Sequence, residues 1–584
     1  MTPLARSWIR TGIVLLIGLA PLSAKAANTY YVAPTGSDSN AGTMAAPFAT
    51  LQKANDTAAA GDTIYLRAGT YNCTNQITLS KSGTSDTNRT KIWAYTGEVP
   101  VLDFSNFTLA SETSDHPAIT VTGNWMHLRG LEIANGKVGT SGSHSYSMLR
   151  TKNASNNTFE LLNIHNGFGP GLFIDTGTGG NLILNCDSHD NYDKDGSQGD
   201  GQNADGFGVH YQTTGPSTTI RGCRAWNNSD DGYDLISQEV PVTVENNWAF
   251  DNGHGTEGNG NGFKMGSSQT GIRHLVQQNV AWGNAENGFY ANHSTGGNTW
   301  YNNTSYNNGT QYNMLASSFD SSGNVTGTIT LTGSKVHIMR NNIGYPNRNS
   351  NMDGVDTSFN TWDLGITPAA SDFASISDTG CDGARAADGS MPTACTFMHL
   401  SAGSHMIDKG TNVGLPYVGS APDLGAYEYG ATGGTTGTGG TAGKSGTTGT
   451  GGTTGSGGTT GTGGTTGTGG SATGTGGAVG TGNGGNSGTG GSTTGSGGTG
   501  TTGTGGSSTT AGTGGSGTST GAAGGTTGSG GSTTGTGDTG GASSGCSCDT
   551  APGAGQGGLL GLSLLSLMMV ATRRRQPAAK RCRR

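Results

Sequence analysis

Charge is what this chain has least of. Asp, Glu, Lys and Arg make up 12% of 584 residues, about half the usual share of roughly 25%. That excludes a highly charged disordered chain, and a net charge of -8 excludes a basic nucleic-acid binder. Apolar residues reach only 31% and aromatics 7%, which excludes a helix-rich enzyme filling every position. Long apolar runs are missing too. Thr11 to Leu22 and Gly557 to Ala571 both fall short of the ~20 residues a stable membrane span needs. Glycine is plentiful instead, with 110 residues against a common share of about 7%. Either part of the chain is not globular, or the globular part is built without helices. The order of residues supports both.

The ends read as processing signals. Residues 1–26 combine Arg6 and Arg10, the apolar Thr11 to Leu22 and an Ala24-Lys25-Ala26 cleavage site, the pattern of a secretory signal peptide. Residues 431–544 are almost entirely Gly, Thr and Ser, which offers no apolar face to offset chain entropy and predicts a disordered linker. Residues 545–584 hold Cys546 and Cys548, a short apolar run ending near Val570, and Arg573, Arg574 and Arg575. Arg after an apolar run holds that end in the cytoplasm. The trio resembles the C-terminal sorting tag of myxobacterial surface proteins. A single marginal membrane anchor is the alternative, and both place the body outside the cytoplasm, tethered to the cell surface.

Residues 27–430 show no amphipathic helical period but do show an internal repeat. Asn185-Cys186-Asp187-Ser188-His189-Asp190-Asn191, Gly222-Cys223-Arg224-Ala225-Trp226-Asn227-Asn228 and Asn246-Asn247-Trp248-Ala249-Phe250-Asp251-Asn252 align, as do the segments ending at Asn284 and Asn308. Units this short bury an apolar side only by stacking, which predicts a parallel β-solenoid with an asparagine ladder. A second column keeps the register: Gly206-Phe207, Gly232-Tyr233, Gly262-Phe263 and Gly288-Phe289. If the aromatic points inward, alternation turns Gly208, Asp234, Lys264 and Tyr290 outward. Coils about 4.8 Å apart then set Asp205 over Asp231 and Asp234 beside Lys264.

Asp205, Asp230, Asp231 and Asp234 thus converge, which is costly unless a cation or proton intervenes. Carboxylates suit a hard ion, and Ca²⁺ suits an exported protein. A solvated acidic turn is the plainer alternative. Lys264 lies one coil away, where a bound divalent cation would lower its pKa and leave it able to act as a base. A salt bridge to Asp234 is the commoner fate of such a lysine. Base plus Ca²⁺ suits β-elimination at a uronate, in which the C5 proton is removed beside a neutralised carboxylate.

Asn203-Ala204-Asp205-Gly206-Phe207, the run from Cys223 to Asp234 and Asn259-Gly260-Asn261-Gly262-Phe263-Lys264 resemble the pectate lyases of polysaccharide lyase family nine. The resemblance covers about 27–430. It implies a right-handed parallel β-helix, a Ca²⁺ site at Asp205, Asp230, Asp231 and Asp234, and Lys264 as the catalytic base. It also implies an acidic polysaccharide, polygalacturonate, as substrate, with a monomer as the expected state and no nucleic-acid partner.

Weaker signals remain. Cys186 and Cys223 share a coil position, as stacked thiols or a disulfide, and Cys381 and Cys395 bracket a loop as an exported disulfide would. Cys73 is left over. Asp193, Asp195 and Asp200 partly echo a second Ca²⁺ loop, although such matches are usually turns. Arg221, Arg224 and Arg273 could grip uronate carboxylates, but solvation is the default. Trp226, Trp248 and Trp282 fall in packing columns rather than on a sugar platform. A polygalacturonase-like hydrolase needs paired carboxylates as acid and base and leaves Lys264 without a role. A non-catalytic carbohydrate-binding solenoid leaves the whole Lys-and-Asp column unexplained.

Overall fold

Short β-branched and apolar runs bounded by Asn, Asp and Gly form strands of two to five residues. In Val242–Glu245 both valines are buried while Thr243 and Glu245 stay partly exposed, the alternation of a strand with one face on a core. The computed structural model describes residues 26–107, 116–136, 146–194, 199–266 and 271–431. The expectations for the two ends fall on residues 1–25 and 432–584, outside the described residues. Three strands make one coil, as in Thr218–Arg221, Arg224–Trp226 and Tyr233–Ile236. Coils stack in parallel into three sheets of twelve, ten and ten strands. The first sheet runs from Thr29–Val32 to Asp356–Ser358, the second from Gly69–Asn72 to Ile343–Tyr345, and the third from Ile77–Leu79 to Asn349–Ser350. This is the expected parallel β-helix. One α-helix, Leu51–Thr57, packs on its N-terminal coils, and no helix among the described residues is long and apolar enough to cross a membrane.

The register matches the sequence columns. Phe207, Tyr233, Phe263 and Phe289 pair across adjacent strands of the third sheet, fully buried. Their rings stack at 5.2, 4.7 and 4.9 Å. The asparagine ladder is continuous: the Nδ2 of Asn191, Asn228, Asn252 and Asn284 each donates to the Oδ1 of the next at 2.8–3.0 Å. The residue before each rung is left-handed: Asp190, Asn227, Asp251, Gly283 and Asn307 have φ of 51–64°. Asn, Asp and Gly tolerate that region best. The glycine column makes room for the next coil, its ladder amide included. A Cβ on Gly206, Gly232, Gly262 or Gly288 would stand 2.6–3.1 Å from the ladder amide of the next coil and 2.7–3.0 Å from a carbonyl oxygen of that coil, too close to fit.

A second ladder lies between the first and second sheets. Asn247, Asn279, Asn303, Asn342 and Asn360 repeat the same bonds at 2.7–3.0 Å. Cys223 and Cys186 continue that column as stacked free thiols, with the Cys223 amide on Asn247 Oδ1 and the Cys186 amide 3.4 Å from Cys223 Sγ. The disulfide alternative for this pair is therefore excluded, whereas Cys381 and Cys395 are bonded as expected. Cys73 is a partly buried free thiol.

The coils end at Ser358, short of residue 430. The rest of the described chain covers the second sheet, whose outer face carries Trp248, Phe250, Val280 and Trp282. These pack with Phe373, Phe397, Met398 and Leu400 from that segment. Trp226 is sandwiched between His189 at 4.0 Å and Phe250 at 5.5 Å. All three tryptophans are thus packing residues.

We expect Asn284→Ala to take the Oδ1 acceptor from the Asn252 backbone amide, and the Asn284 Nδ2 donor from the Ala249 carbonyl, at a cost of about 2–4 kcal/mol. Gly232→Ala should also destabilise, by forcing apart Gly262 O and the Asn252 amide. Thermal melts of both should fall well below wild type. Unchanged melts would contradict the coupling of glycine column to ladder.

Candidate active site

The outer face of the third sheet carries the residues of interest. Gly208, Asp234, Lys264 and Tyr290 lie opposite one another on neighbouring strands, in the expected outward row. Asp205 and Asp231 precede the strands Phe207–His210 and Tyr233–Ile236, and the Asp231 amide donates to Asp205 Oδ1 at 3.2 Å. Asp205, Asp231 and Asp234 are buried, and one oxygen of each lies within 4.8 Å of the other two. Asp230 is buried beside them but stands outside that set, with Oδ1 taking the Asn259 amide at 2.6 Å. Three of the four expected ligands therefore converge. Lys264 Nζ lies 3.0 Å from Asp231 Oδ2 and 3.3 Å from Asp234 Oδ2. The salt bridge weighed for Lys264 is thus present, with a second carboxylate in it.

The charges do not balance. Four buried carboxylates face one ammonium. Burial first, and then Asp230, Asp234 and Asp231, hold the Asp205 carboxyl well above the usual range, against the pull of Lys264. Burial and then Asp231 do the same to Asp230, which Lys264 and the Asn259 amide oppose. Burial alone would push Lys264 down, but Asp231, Asp234, Asp230 and Asp205 outweigh it and hold the ammonium well above its ordinary value. This upward direction is the carboxylates' own effect on Lys264, and the lowering expected beside a cation concerns the cation-bound site. The donor set is what a divalent hard cation needs: buried, oxygen-only and in charge excess.

A family model described as "Pel9A-like, right handed beta helix region" matches residues 30–342. The chain belongs to this family. Among Pel9A-like relatives, pectate lyase L of Dickeya dadantii (strain 3937) is 36% identical over 414 residues, covering 68% of this chain and 90% of that one. The crystal structure of pectate lyase Pel9A superposes with a TM-score of 0.57 at 34% identity, over 69% of this chain and 96% of that one. A rhamnogalacturonan lyase structure follows at 0.56 and 30% identity, over 64% and 97%. The Pel9A-like chain described here is a polysaccharide lyase.

Other expected residues lie elsewhere. Arg224 is buried, with Nε and Nη2 on Asp187 at 2.8 and 2.7 Å and Nη1 on the Cys381 and Gly383 carbonyls. Arg385 grips the same Asp187, so the two arginines clamp the C-terminal segment to the second sheet. Arg221 pairs with Glu245 at 2.6 Å, and Arg273 donates to the Ser334 and Val336 carbonyls. All three are engaged with partners of the protein itself other than Asp205, Asp231 and Asp234. Asp193 takes the Asn203 amide and the Ser229 hydroxyl, Asp200 takes the Tyr192 hydroxyl, and Asp195 lies outside the described residues.

His210, Phe173 and Arg150 went unread in the sequence. His210 Nε2 lies 3.7 Å from Asp234 Oδ2, and burial, then Lys264 and Arg150, push its pKa down to about 3, so it faces the site neutral. Its ring meets Phe173 edge-on at 4.7 Å, and Arg150 lies over Phe173 at 5.4 Å. Phe173 and Arg150 continue the outward row past Gly208. The clue was Gly171-Leu172, a glycine followed by an aliphatic core residue where the column elsewhere has an aromatic.

A carboxyl whose folded pKa is raised holds its proton more tightly folded than unfolded, so stability falls as pH climbs above about 3.9. In chelator, wild type should therefore lose melting temperature between about pH 4 and pH 7 more steeply than Asp205→Asn. Parallel curves for the two proteins would contradict the charge excess.

Proposed function

We propose that this Pel9A-like chain cleaves polygalacturonate by Ca²⁺-assisted β-elimination, with Lys264 as the base. One observation carries the reading: Lys264 Nζ stands 3.0 and 3.3 Å from two of three converging buried carboxylates. Asp205, Asp231 and Asp234, with Asp230 adjoining, would hold the ion. When bound, Ca²⁺ supplies positive charge against the uronate carboxylate and the charge that develops beside it. The activities named for the relatives, pectate lyases above all, support the same substrate class.

The chain's own residues then have defined tasks. The parallel sheet holds Asp234 and Lys264 side by side at fixed separation, so base and carboxylates share one rigid frame. Lys264 takes the C5 proton on Nζ. The C5–H electron pair becomes the C4=C5 double bond, and the C4–O bond breaks with its pair leaving on oxygen, which then takes a proton. No water is consumed. Because carboxylates hold Lys264 protonated, the base form requires that their field be offset and is favoured toward alkaline pH. We further propose that the body is exported, acts as a monomer and is tethered at the cell surface by 431–544 and 545–584. Cell fractionation checks this: body antigen confined to the cytoplasm would reject it.

Incubation with polygalacturonate should release unsaturated, ultraviolet-absorbing product that chelator abolishes, with a rate rising toward alkaline pH. Saturated product would favour hydrolysis instead. Lys264→Ala should fold and lose roughly 10²–10⁴ in rate. Lys264→Arg should be nearly as poor, because guanidinium keeps its proton. Near-wild-type elimination by Lys264→Ala would reject the base assignment. A parallel assay on rhamnogalacturonan separates the two substrates named among the relatives.

A further inference from the structure

The column that holds Asp205 and Asp231 changes chemistry at the next coil, where Asn261 follows. Asn261 donates twice to one oxygen: its backbone amide and its Nδ2 both reach Asp231 Oδ1 at 2.7 Å. The other oxygen, Oδ2, is the one that meets Lys264. Asn261 is pinned in turn. Asn287 Nδ2 donates to Asn261 Oδ1 at 2.6 Å, Asn313 Nδ2 to Asn287 Oδ1 at 3.2 Å, and Asn351 Nδ2 to Asn313 Oδ1 at 2.8 Å. This row is distinct from the two interior ladders. It is headed by a carboxylate and runs out to the exposed Asn351.

The head of the row dictates its direction. Asp231 Oδ1 accepts from the Asn261 backbone amide, so Asn261 presents its NH₂ to that same oxygen and its own oxygen to Asn287. The same logic repeats outward, so every amide has one allowed orientation. A flip at Asn261 would set oxygen against oxygen at Asp231, with both groups buried.

We infer that Asn261 is a positioning residue for the metal carboxylates, with Asn287 as its support. By engaging Oδ1 with two donors it stops the Asp231 carboxylate from turning and presents Oδ2 to the ion and to Lys264. The inference rests on the reading of Asp205, Asp231 and Asp234 as a Ca²⁺ site. Partners that orient ligands in this way typically govern metal affinity by 10–100-fold.

Calorimetric Ca²⁺ titration of the full chain tests it, with melting in chelator alongside. Asn261→Leu keeps side-chain bulk and removes the amide. It should bind Ca²⁺ about 10–100-fold more weakly, and half-maximal activity should need correspondingly more Ca²⁺. Asn287→Leu touches neither Asp231 nor Lys264 and should show a smaller loss in the same direction. A purely structural role predicts lower melting in chelator with unchanged affinity. A folded Asn261→Leu with affinity within about twofold of wild type overturns the inference. Should Asn261→Leu not fold, Asn287→Leu decides, weaker Ca²⁺ binding supporting the relay and unchanged binding overturning it. Wild type that binds no Ca²⁺ would instead overturn the metal reading beneath it, while wild-type binding with indifferent variants removes only the positioning role.

Discussion

Everything in this molecule hangs on a buried amide meeting the amide of the next coil. A parallel β-helix has to turn its chain at every corner, and each turn leaves polar backbone inside. The ladder asparagines answer this locally. Asn252, for example, donates Nδ2 to the Ala225 carbonyl and to Asn284, and accepts from Asn228. Each rung satisfies the coil before it and orients the coil after it. The left-handed residue ahead of the rung and the glycine opposite it follow from the same contact, since one turns the chain and the other makes room.

That constraint is also what makes a catalytic surface possible. Once the interior columns lock the register, outward side chains on neighbouring strands cannot drift relative to one another. Carboxylates that would spread apart on a flexible loop are held converged, at the cost of their own ionisation. Asp205 and Asp230 are pushed toward the protonated form, and Lys264 is drawn in as the local counter-charge. The scaffold is stable enough in its core of stacked rings and amide ladders to carry this unfavourable cluster on its outside. A poised excess of negative charge is what a site for a divalent cation requires.

Much of this was legible before any coordinates. The Gly-aromatic and Asn columns recur in the chain itself, and strand alternation converts them into an inward ring stack and an outward row with Asp234 beside Lys264. The convergence of Asp205, Asp231 and Asp234 follows from stacking alone. The second ladder was less visible because its column changes identity, from Cys186 and Cys223 to Asn247 and Asn279. The outward row stopped at Gly208 for a similar reason: Leu172 replaces the aromatic that marked the column, which hid Phe173 and Arg150.

The sequence by itself determined the repeat, the solenoid class and which residue types share a face, because those depend on periodicity within the chain. Tertiary structure decided what depends on distant segments or on direction within a contact. Arg224 could have faced solvent or substrate. It is buried because residues 381–383 fold back across more than 150 positions to meet it, with Arg385 joining it on Asp187, which no local pattern encodes. Asp230 belongs to the same motif as Asp231, yet one of its oxygens takes the Asn259 amide. Lys264 was read beside Asp234, and stacking adds Asp231 as a second, closer partner. Electrostatic energy depends on the distance and burial of every neighbouring charge at once, and those quantities exist only after the coils have stacked.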